Sequence, residues 1–304
     1  MNIVICVDET SAGSFGDAAW GVKRFRELGH RIIITGRTDG AYADACKITA
    51  GEEPENTGKM DSVLIGDRIS DCAGAAARGI PAIVFNSKDN REEETELLRA
   101  DNWAEAVKAV QQIQRGYPDR GNAEKLLTAA EAINFGPWGD HCRVAARCAE
   151  KIAAACEGMD PEKAYVCGLL HDIGRRFLVR DLGHIYYGWQ YMQRLGYPQV
   201  ARICLSHSFP NQDFRIFIGK IDIPAHEADA VRGLLNGMKF DDYDRLIQLC
   251  DALAGSGGVL DMEERMADVK RRYGNYPQAQ WDKNMELKHY FEEKAGKNIY
   301  DIVA

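Results

Sequence analysis

Over the first 117 residues, short apolar runs alternate with segments of mixed polarity. We interpret four of these runs as buried strands, at residues 3–7, 31–35, 62–65 and 81–85. The segments at 18–28 and 103–114 carry apolar residues at helical spacing. Continuous apolar strands that alternate with helices are typical of a parallel sheet covered on both faces. Residues 1–117 are therefore predicted to form an α/β domain of Rossmann-like type.

The pattern changes after a polar stretch that runs from Arg115 to Asn122. This stretch is rich in turn-forming residues, which is typical of a link between domains. Beyond it, apolar residues recur at helical spacing, as in Val144, Cys148 and Ile152. We place the domain boundary here and predict an all-α domain over residues 118–304.

Composition narrows the class of protein. The chain is 45% hydrophobic and 28% charged, as expected for a globular protein, and its net charge of −8 argues against a nucleic-acid partner. A local pocket can still receive a small phosphorylated substrate. No run approaches the ~20 apolar residues that cross a bilayer. The nine cysteines include no CxxC pair, so we expect free thiols in a reducing, cytoplasmic location. The sequence leaves a homo-oligomer open.

Histidine and aspartate residues are concentrated in the helical part. Most of them lie on or at the end of a predicted helix, beside its apolar face, so several helices could direct them into one site. Asp172 follows a run of apolar residues, and a buried carboxylate there requires a cation. Mixed imidazole and carboxylate ligands suit divalent transition metals. The candidate ligands are His141, His171, Asp172, His184, His207 and Asp251. We assign structural roles to His30, His226 and His289.

The segment from Gly168 to Arg175, GLLHDIGR, resembles the signature of the HD superfamily of phosphohydrolases in its HD-I-G form. The resemblance covers roughly residues 122–255 and implies an all-helical domain with the ligand pattern H…HD…D. Carried over, the pattern makes His141, His171, Asp172 and Asp251 metal ligands. His184 and His207 correspond to the extra ligands of two-metal members, or else contact substrate phosphate. Manganese, iron, cobalt and nickel all suit these ligands.

This resemblance implies hydrolysis of a phosphate ester of a small molecule or nucleotide. We expect Asp172 to bridge two ions, with His184 and His207 completing the catalytic set. Arg175 could bind the phosphate in a bidentate manner, and Lys220 is a weaker candidate. Two alternatives stay open: a di-iron oxygenase of the HD fold, and a sensor that binds a phosphorylated ligand without chemistry.

The first domain resembles the haloacid-dehalogenase phosphatases. The segment from Val63 to Asp71 is similar to their fourth motif, and Thr35 fits the hydroxyl of the second. The first motif departs from the family, because Cys6 stands where the nucleophilic aspartate belongs. We therefore predict a degenerate, catalytically silent domain in which Asp8, Asp67 and Asp71 could still bind magnesium. The rival hypothesis is an active phosphatase with Asp8 as the nucleophile.

Two further expectations concern the helical domain. Aromatic residues could line a nucleobase pocket or equally form plain core, namely Tyr186, Trp189, Phe209 and Phe214. The segment 263–304 is charged and helical, and we predict that it serves packing or assembly.

Overall fold

The computed structural model describes residues 1–7, 15–34, 62–86 and 97–304. Contacts within these ranges divide the chain into two units. The first comprises Met1–Gly116 with Tyr191–Tyr197, and the second comprises Tyr117–Gln190 with Pro198–Ala304. The short segment Tyr191–Tyr197 lies in sequence inside the helical part but groups with the first unit, which the sequence did not indicate.

The first unit contains a five-stranded parallel sheet with the strand order β2-β1-β3-β4-β5. Its strands are β1 (Asn2–Cys6), β2 (Arg31–Ile34), β3 (Ser62–Gly66), β4 (Ala82–Phe85) and β5 (Leu98–Ala100). The helices that accompany the sheet are α1 (Phe15–Glu27), α2 (Ile69–Ala77) and α3 (Trp103–Arg115). The prediction of a parallel α/β sheet is confirmed, whereas the closer likeness to haloacid dehalogenases stays a prediction.

Burial on both faces explains why the strands could be recognised as apolar runs. Adjacent residues of a strand point to opposite faces, and the pairs Ile33 with Ile34 in β2 and Ile83 with Val84 in β4 are almost fully buried. Strand β5 was missed, because three residues with a central arginine, Arg99, make no recognisable pattern.

The second unit is built from helices. They are α4 (Arg120–Ile133), α5 (Trp138–Ala155), α6 (Pro161–Leu170), α7 (Leu182–Arg194), α8 (Pro198–Ser206), α9 (Ala225–Gly237), α10 (Asp242–Leu253), α11 (Met262–Tyr273), α12 (Gln278–Ala295) and α13 (Ile299–Val303). Two 3₁₀ turns occupy Ile173–Phe177 and Phe214–Ile216. A two-stranded antiparallel ribbon, β6 (Ala254–Gly255) with β7 (Gly258–Val259), corrects the prediction of a purely α-helical domain. Ribbons this short carry no periodicity.

The core of the second unit lies between α5, α6, α10 and the C-terminal helices. Cys148, Ile152, Leu246 and Leu249 are almost fully buried in one cluster, and Phe291 of α12 joins them. The predicted packing role of residues 263–304 therefore agrees with the structure. No helix in the described part of the chain combines the length and the apolar character that a bilayer span requires.

Candidate metal centre

Five segments of the second unit deliver the candidate ligands. His141 lies in the first turns of α5, and His184 lies in the first turn of α7. His171 and Asp172 directly follow α6, His207 directly follows α8, and Asp251 lies in the last turn of α10. Three helices thus direct their C-terminal ends at the centre. Because a helix carries partial negative charge at that end, the arrangement favours a cation.

The structure brings all six side chains together. The Nε2 atoms of His141 and His171 are 3.3 Å apart, and those of His184 and His207 are 3.2 Å apart. Asp251 Oδ1 lies 3.0 Å from His141 Nε2. On the other side of the cluster, Asp172 Oδ1 lies 3.0 Å from His184 Nε2.

Helix ends fix the tautomers of two histidines. The last carbonyls of a helix have no partner within the helix, so they can accept a side-chain hydrogen bond. His171 donates from Nδ1 to Gly168 O at 2.7 Å, and His207 donates from Nδ1 to Cys204 O at 2.9 Å. His141 donates from Nδ1 to Ala254 O at 3.1 Å. A neutral imidazole that donates from Nδ1 leaves an unprotonated Nε2.

These tautomers make the cluster fit a metal ion. Without a proton or a cation between them, the lone pairs of His141 Nε2 and His171 Nε2 would face each other at 3.3 Å. A backbone carbonyl bonded to the second ring nitrogen is the usual support of a metal-bound histidine. His184 differs, because its Nδ1 is buried and has no hydrogen-bond partner among the described residues.

The ligand atoms fall into three overlapping groups that could each hold an ion. These groups are His141 with His171 and Asp172, His171 with His207 and Asp251, and Asp172 with His184 and His207; within each, the ligand atoms lie within 4.8 Å of one another. Asp172 belongs to two of the groups and could serve both. The set can hold divalent metal, and its nitrogen and oxygen ligands suit the transition metals.

Burial and neighbouring charges shift the pKa values of the histidines and aspartates in the cluster. Burial lowers the pKa of His171 to about 4 and also lowers the pKa of His184, so both imidazoles are neutral at neutral pH. Burial alone would raise the pKa of Asp172, but Arg175 and the imidazoles hold it well below its usual range. Burial alone would lower the pKa of His141, yet its bond to Asp251 raises it.

Arg175 holds one oxygen of Asp172. Its Nε donates to Asp172 Oδ2, and its Nη1 donates to the carbonyl of Arg180 at 3.2 Å. Asp172 Oδ1 is thereby left to face the imidazoles. We expected Arg175 to face the cavity, which it does, and to bind phosphate there. Two of its three nitrogens bond to Asp172 and Arg180, so Arg175 orients the carboxylate of Asp172, and its binding of phosphate stays a prediction.

A buried ion pair positions His207. Ser206 Oγ donates to Asp244 Oδ1 at 2.7 Å, and Asp244, with no exposed surface, also accepts from the guanidinium of Arg202. Gln248 Nε2 donates to the carbonyl of Ser206 at 3.0 Å. These bonds tie the end of α8 to α10 and so place the imidazole that follows.

Asp244→Ala is therefore expected to destabilise the protein by about 1–3 kcal/mol, because the buried hydroxyl of Ser206 and the partly exposed guanidinium of Arg202 would lose their acceptor. The free energy of unfolding in urea measures this. Asp229→Ala, which removes the partner of Arg232 in an exposed pair, should cost less than about 0.5 kcal/mol. Equal losses in the two variants would contradict the assignment.

A cavity of about 900 Å³ opens onto the ligand cluster. Besides the metal-centre residues, it is lined by residues of α11, of α12 and of the loop between them that the sequence did not single out, among them Arg265, Arg272, Tyr276, Gln280 and Asn284. They lie up to about thirty residues beyond the end of the HD-like region, residues 122–255, and no sequence signal connects them with it. Burial raises the pKa of Tyr276 to about 12, so its phenol stays protonated.

Other predicted residues lie elsewhere. Lys220 is exposed and is not part of the cavity lining. The four aromatic candidates belong to or pack against a hydrophobic cluster and do not line the cavity, so the core interpretation holds: Tyr186, Trp189, Phe209 and Phe214.

The other three histidines and the described acidic candidates of the first unit are not part of the ligand cluster. His30 is buried beside Phe25, whereas His226 and His289 are exposed. Asp67 directly follows β3, and Asp71 is exposed in the first turn of α2. Asp8 and Thr35 lie outside the described residues.

Comparison with known families gives one match. Residues 138–256 match the model of the HD domain, from the first residue of α5 to just beyond β6. Comparisons with curated proteins and with solved structures produced no match. The matched range contains all six candidate ligands. The helical part of this chain therefore contains an HD domain of the superfamily of metal-dependent phosphohydrolases.

Proposed function

We propose that this chain hydrolyses a phosphate ester of a small molecule or nucleotide at the metal centre of its HD domain. The observation that carries the proposal is the convergence of four imidazole Nε2 atoms and two carboxylates at one end of an open cavity. His141, His171, Asp172 and Asp251 would hold a first ion. His184 and His207 would join Asp172 at a second.

In this proposal the side chains around the metal centre have different roles. A divalent metal, when bound, polarises a phosphoryl oxygen and lowers the pKa of coordinated water. The backbone bonds of His141, His171 and His207 keep their Nε2 lone pairs directed inward. Arg175 keeps Asp172 Oδ1 turned to the imidazoles and neutralises the negative charge of that carboxylate.

The size of the cavity supports a small-molecule substrate. Pockets for ligands of the size of a nucleotide typically enclose about 300–1,000 Å³, and this one encloses about 900 Å³. We would measure phosphate release from a panel of sugar phosphates and nucleotides with protein loaded with manganese or iron. Release that requires the metal supports the proposal. No release, with bound metal verified, would overturn it.

A di-iron oxygenase is the second candidate. The two groups of ligands that share Asp172 would serve a pair of iron ions equally well. Oxygen consumption by the iron-loaded protein on polyols and phosphonates, without phosphate release from any ester, would favour it.

Loading the metal centre is expected to stabilise the folded protein. An ion that binds only the folded state contributes about 2.7 kcal/mol when its free concentration is a hundred times Kd. Thermal unfolding with manganese and then with excess chelator measures the difference. Asp251→Asn should respond less than wild type, because it removes a charged ligand. Identical responses would show that the ion binds elsewhere.

For the first unit we propose a degenerate haloacid-dehalogenase-like domain, over residues 1–117, that carries out no catalysis. The position of Asp67 at the carboxyl end of β3 supports a ligand-binding role, because ligands of open parallel sheets bind at that edge. With Asp8 and Asp71 it could hold magnesium. We expect Asp8→Ala to leave phosphate release unchanged.

A further inference from the structure

Part of the cavity lining comes from the chain beyond the HD domain. Residues 138–256 match the domain, yet α11 and α12 line the same cavity as the metal-centre ligands. Three polar side chains of α11, of α12 and of the loop between them have hydrogen-bonding capacity that no described residue uses. These are Arg265, Tyr276 and Gln280.

Arg265 is connected to the metal centre through one backbone carbonyl. Its Nε donates to Ala254 O at 3.2 Å, and the same oxygen accepts from His141 Nδ1 at 3.1 Å. The terminal nitrogens of the guanidinium make no hydrogen bond to the described residues. A guanidinium with free terminal nitrogens presents the fork that binds phosphate oxygens in a bidentate manner.

Two of the three other arginines of the cavity already bond to a carboxylate. Arg175 is bonded to Asp172 and to the carbonyl of Arg180. Arg272, two turns along α11 from Arg265, donates from Nε to Asp268 at 2.9 Å. The third, Arg180, is exposed and also has no carboxylate partner among the described residues, but Arg265 is the one that shares a backbone carbonyl with His141. An anion beside His141 therefore lies next to the positive charge of Arg265, which no described carboxylate compensates.

Helix α12 adds neutral donors and acceptors. Gln280 is 8% exposed, lines the cavity, and its carboxamide bonds to no described residue. Asn284 donates from Nδ2 to the hydroxyl of Tyr276 at 2.7 Å, which leaves the phenolic proton free to donate to a ligand. The carboxamide of Gln280 therefore faces the cavity and can bond a ligand without giving up a bond to the protein.

We propose that α11 and α12 form the substrate-recognition wall of the HD domain. Arg265 binds the phosphate group, and Gln280 and Tyr276 bind the hydroxyl or amide groups of its alcohol portion. The substrate is accordingly a polar phosphate monoester, a sugar phosphate or a nucleotide. The identity of the ester rests on the proposed function, whereas the binding of phosphate by Arg265 does not.

The test compares two variants of the full metal-loaded chain with the wild type. By calorimetric titration, Arg265→Met is expected to raise the Kd for inorganic phosphate roughly tenfold, because a hydrogen bond to a charged group is lost. Arg271→Met is the matched control on the same helix. It lies outside the cavity lining and should leave the Kd unchanged. Equal Kd values for the two variants would overturn the proposal.

The metal content of Arg265→Met distinguishes a role of Arg265 in phosphate binding from a role in holding His141 in place. If Arg265→Met also lost its metal, Arg265 would act by holding Ala254 and His141, and phosphate binding by Arg265 would be refuted. The titration measures phosphate binding and needs no turnover. An absence of hydrolysis would therefore count against the proposed function, whereas the Kd values for inorganic phosphate would still test the role of Arg265.

Gln280→Met tests the alcohol portion. We expect roughly a fivefold rise in KM for glucose 6-phosphate or for AMP, with no change for p-nitrophenyl phosphate, because the latter lacks hydroxyl and amide groups. The ester that is affected distinguishes a sugar phosphate from a nucleotide. An equal change for all three esters would overturn the assignment of Gln280.

Discussion

Asp172→Ala is expected to abolish metal-dependent phosphate release, with a fall in kcat of at least about a thousandfold, because metal ions contribute several kcal/mol to catalysis. Asp172 belongs to two of the three ligand groups, so its loss would disturb both candidate ion positions. The measurements are metal content by elemental analysis and phosphate release under substrate saturation.

The control for this variant is a surface aspartate of the same unit. Asp282 of α12 is exposed, and among the described residues its side chain bonds only to Gln278, so Asp282→Ala should retain metal and activity. If Asp172→Ala kept full phosphate release, hydrolysis would not occur at this centre. Asp8→Ala would then become the decisive variant, because it tests the first unit as an active phosphatase.

Gly174→Ala is expected to have the second largest effect, since it would force two segments apart. A Cβ atom at Gly174 would lie 1.9 Å from the carbonyl oxygen of His184 and 2.6 Å from the backbone nitrogen of Gly188. Both contacts are with the backbone of α7, so no side chain can rotate away. The helix itself must shift, and His184 shifts with it.

The expected cost is about 1–3 kcal/mol of folding free energy, the usual range for overpacking a dense interior, together with weaker metal binding. Urea unfolding and metal titration measure the two effects. Gly188→Ala should cost less, because its nearest contact would be 3.2 Å. Gly233→Ala in α9 meets nothing within 4 Å and should stabilise the helix by up to about 1 kcal/mol. A reversed order of the three variants would contradict the packing argument.

The position of the HD doublet could be read from the sequence for a local reason. Glycine, an apolar run, histidine and aspartate stand within eight residues, and the HD domain match confirms the family. Local geometry explains two residues of that signature. Gly174 has no side chain, which allows the backbone of α7 to approach it closely, and His171 donates from Nδ1 to the carbonyl of Gly168 at the end of α6. The roles of the six residues as ligands stay predictions, although the structure brings them together.

Local pattern also determined the class of each unit. Strands buried on both faces leave continuous apolar runs, and packed helices leave apolar residues at helical spacing. Both signals lie within a single element, so one sequence suffices to recognise them. Strand β5 and the ribbon of β6 and β7 are too short to produce either signal.

Only the tertiary structure decided which side chains meet. His141 bonds a carbonyl 113 residues away, and the same carbonyl receives Arg265. The periodicity of α11 indicates which face is buried but not which helix or cavity that face meets. The same reason explains why Arg175, one turn after His171, could be predicted to face the cavity, whereas its bond to Asp172 could not. The sequence thus determined the elements and their chemistry, and the packing of distant helices determined which donors stay free for a substrate.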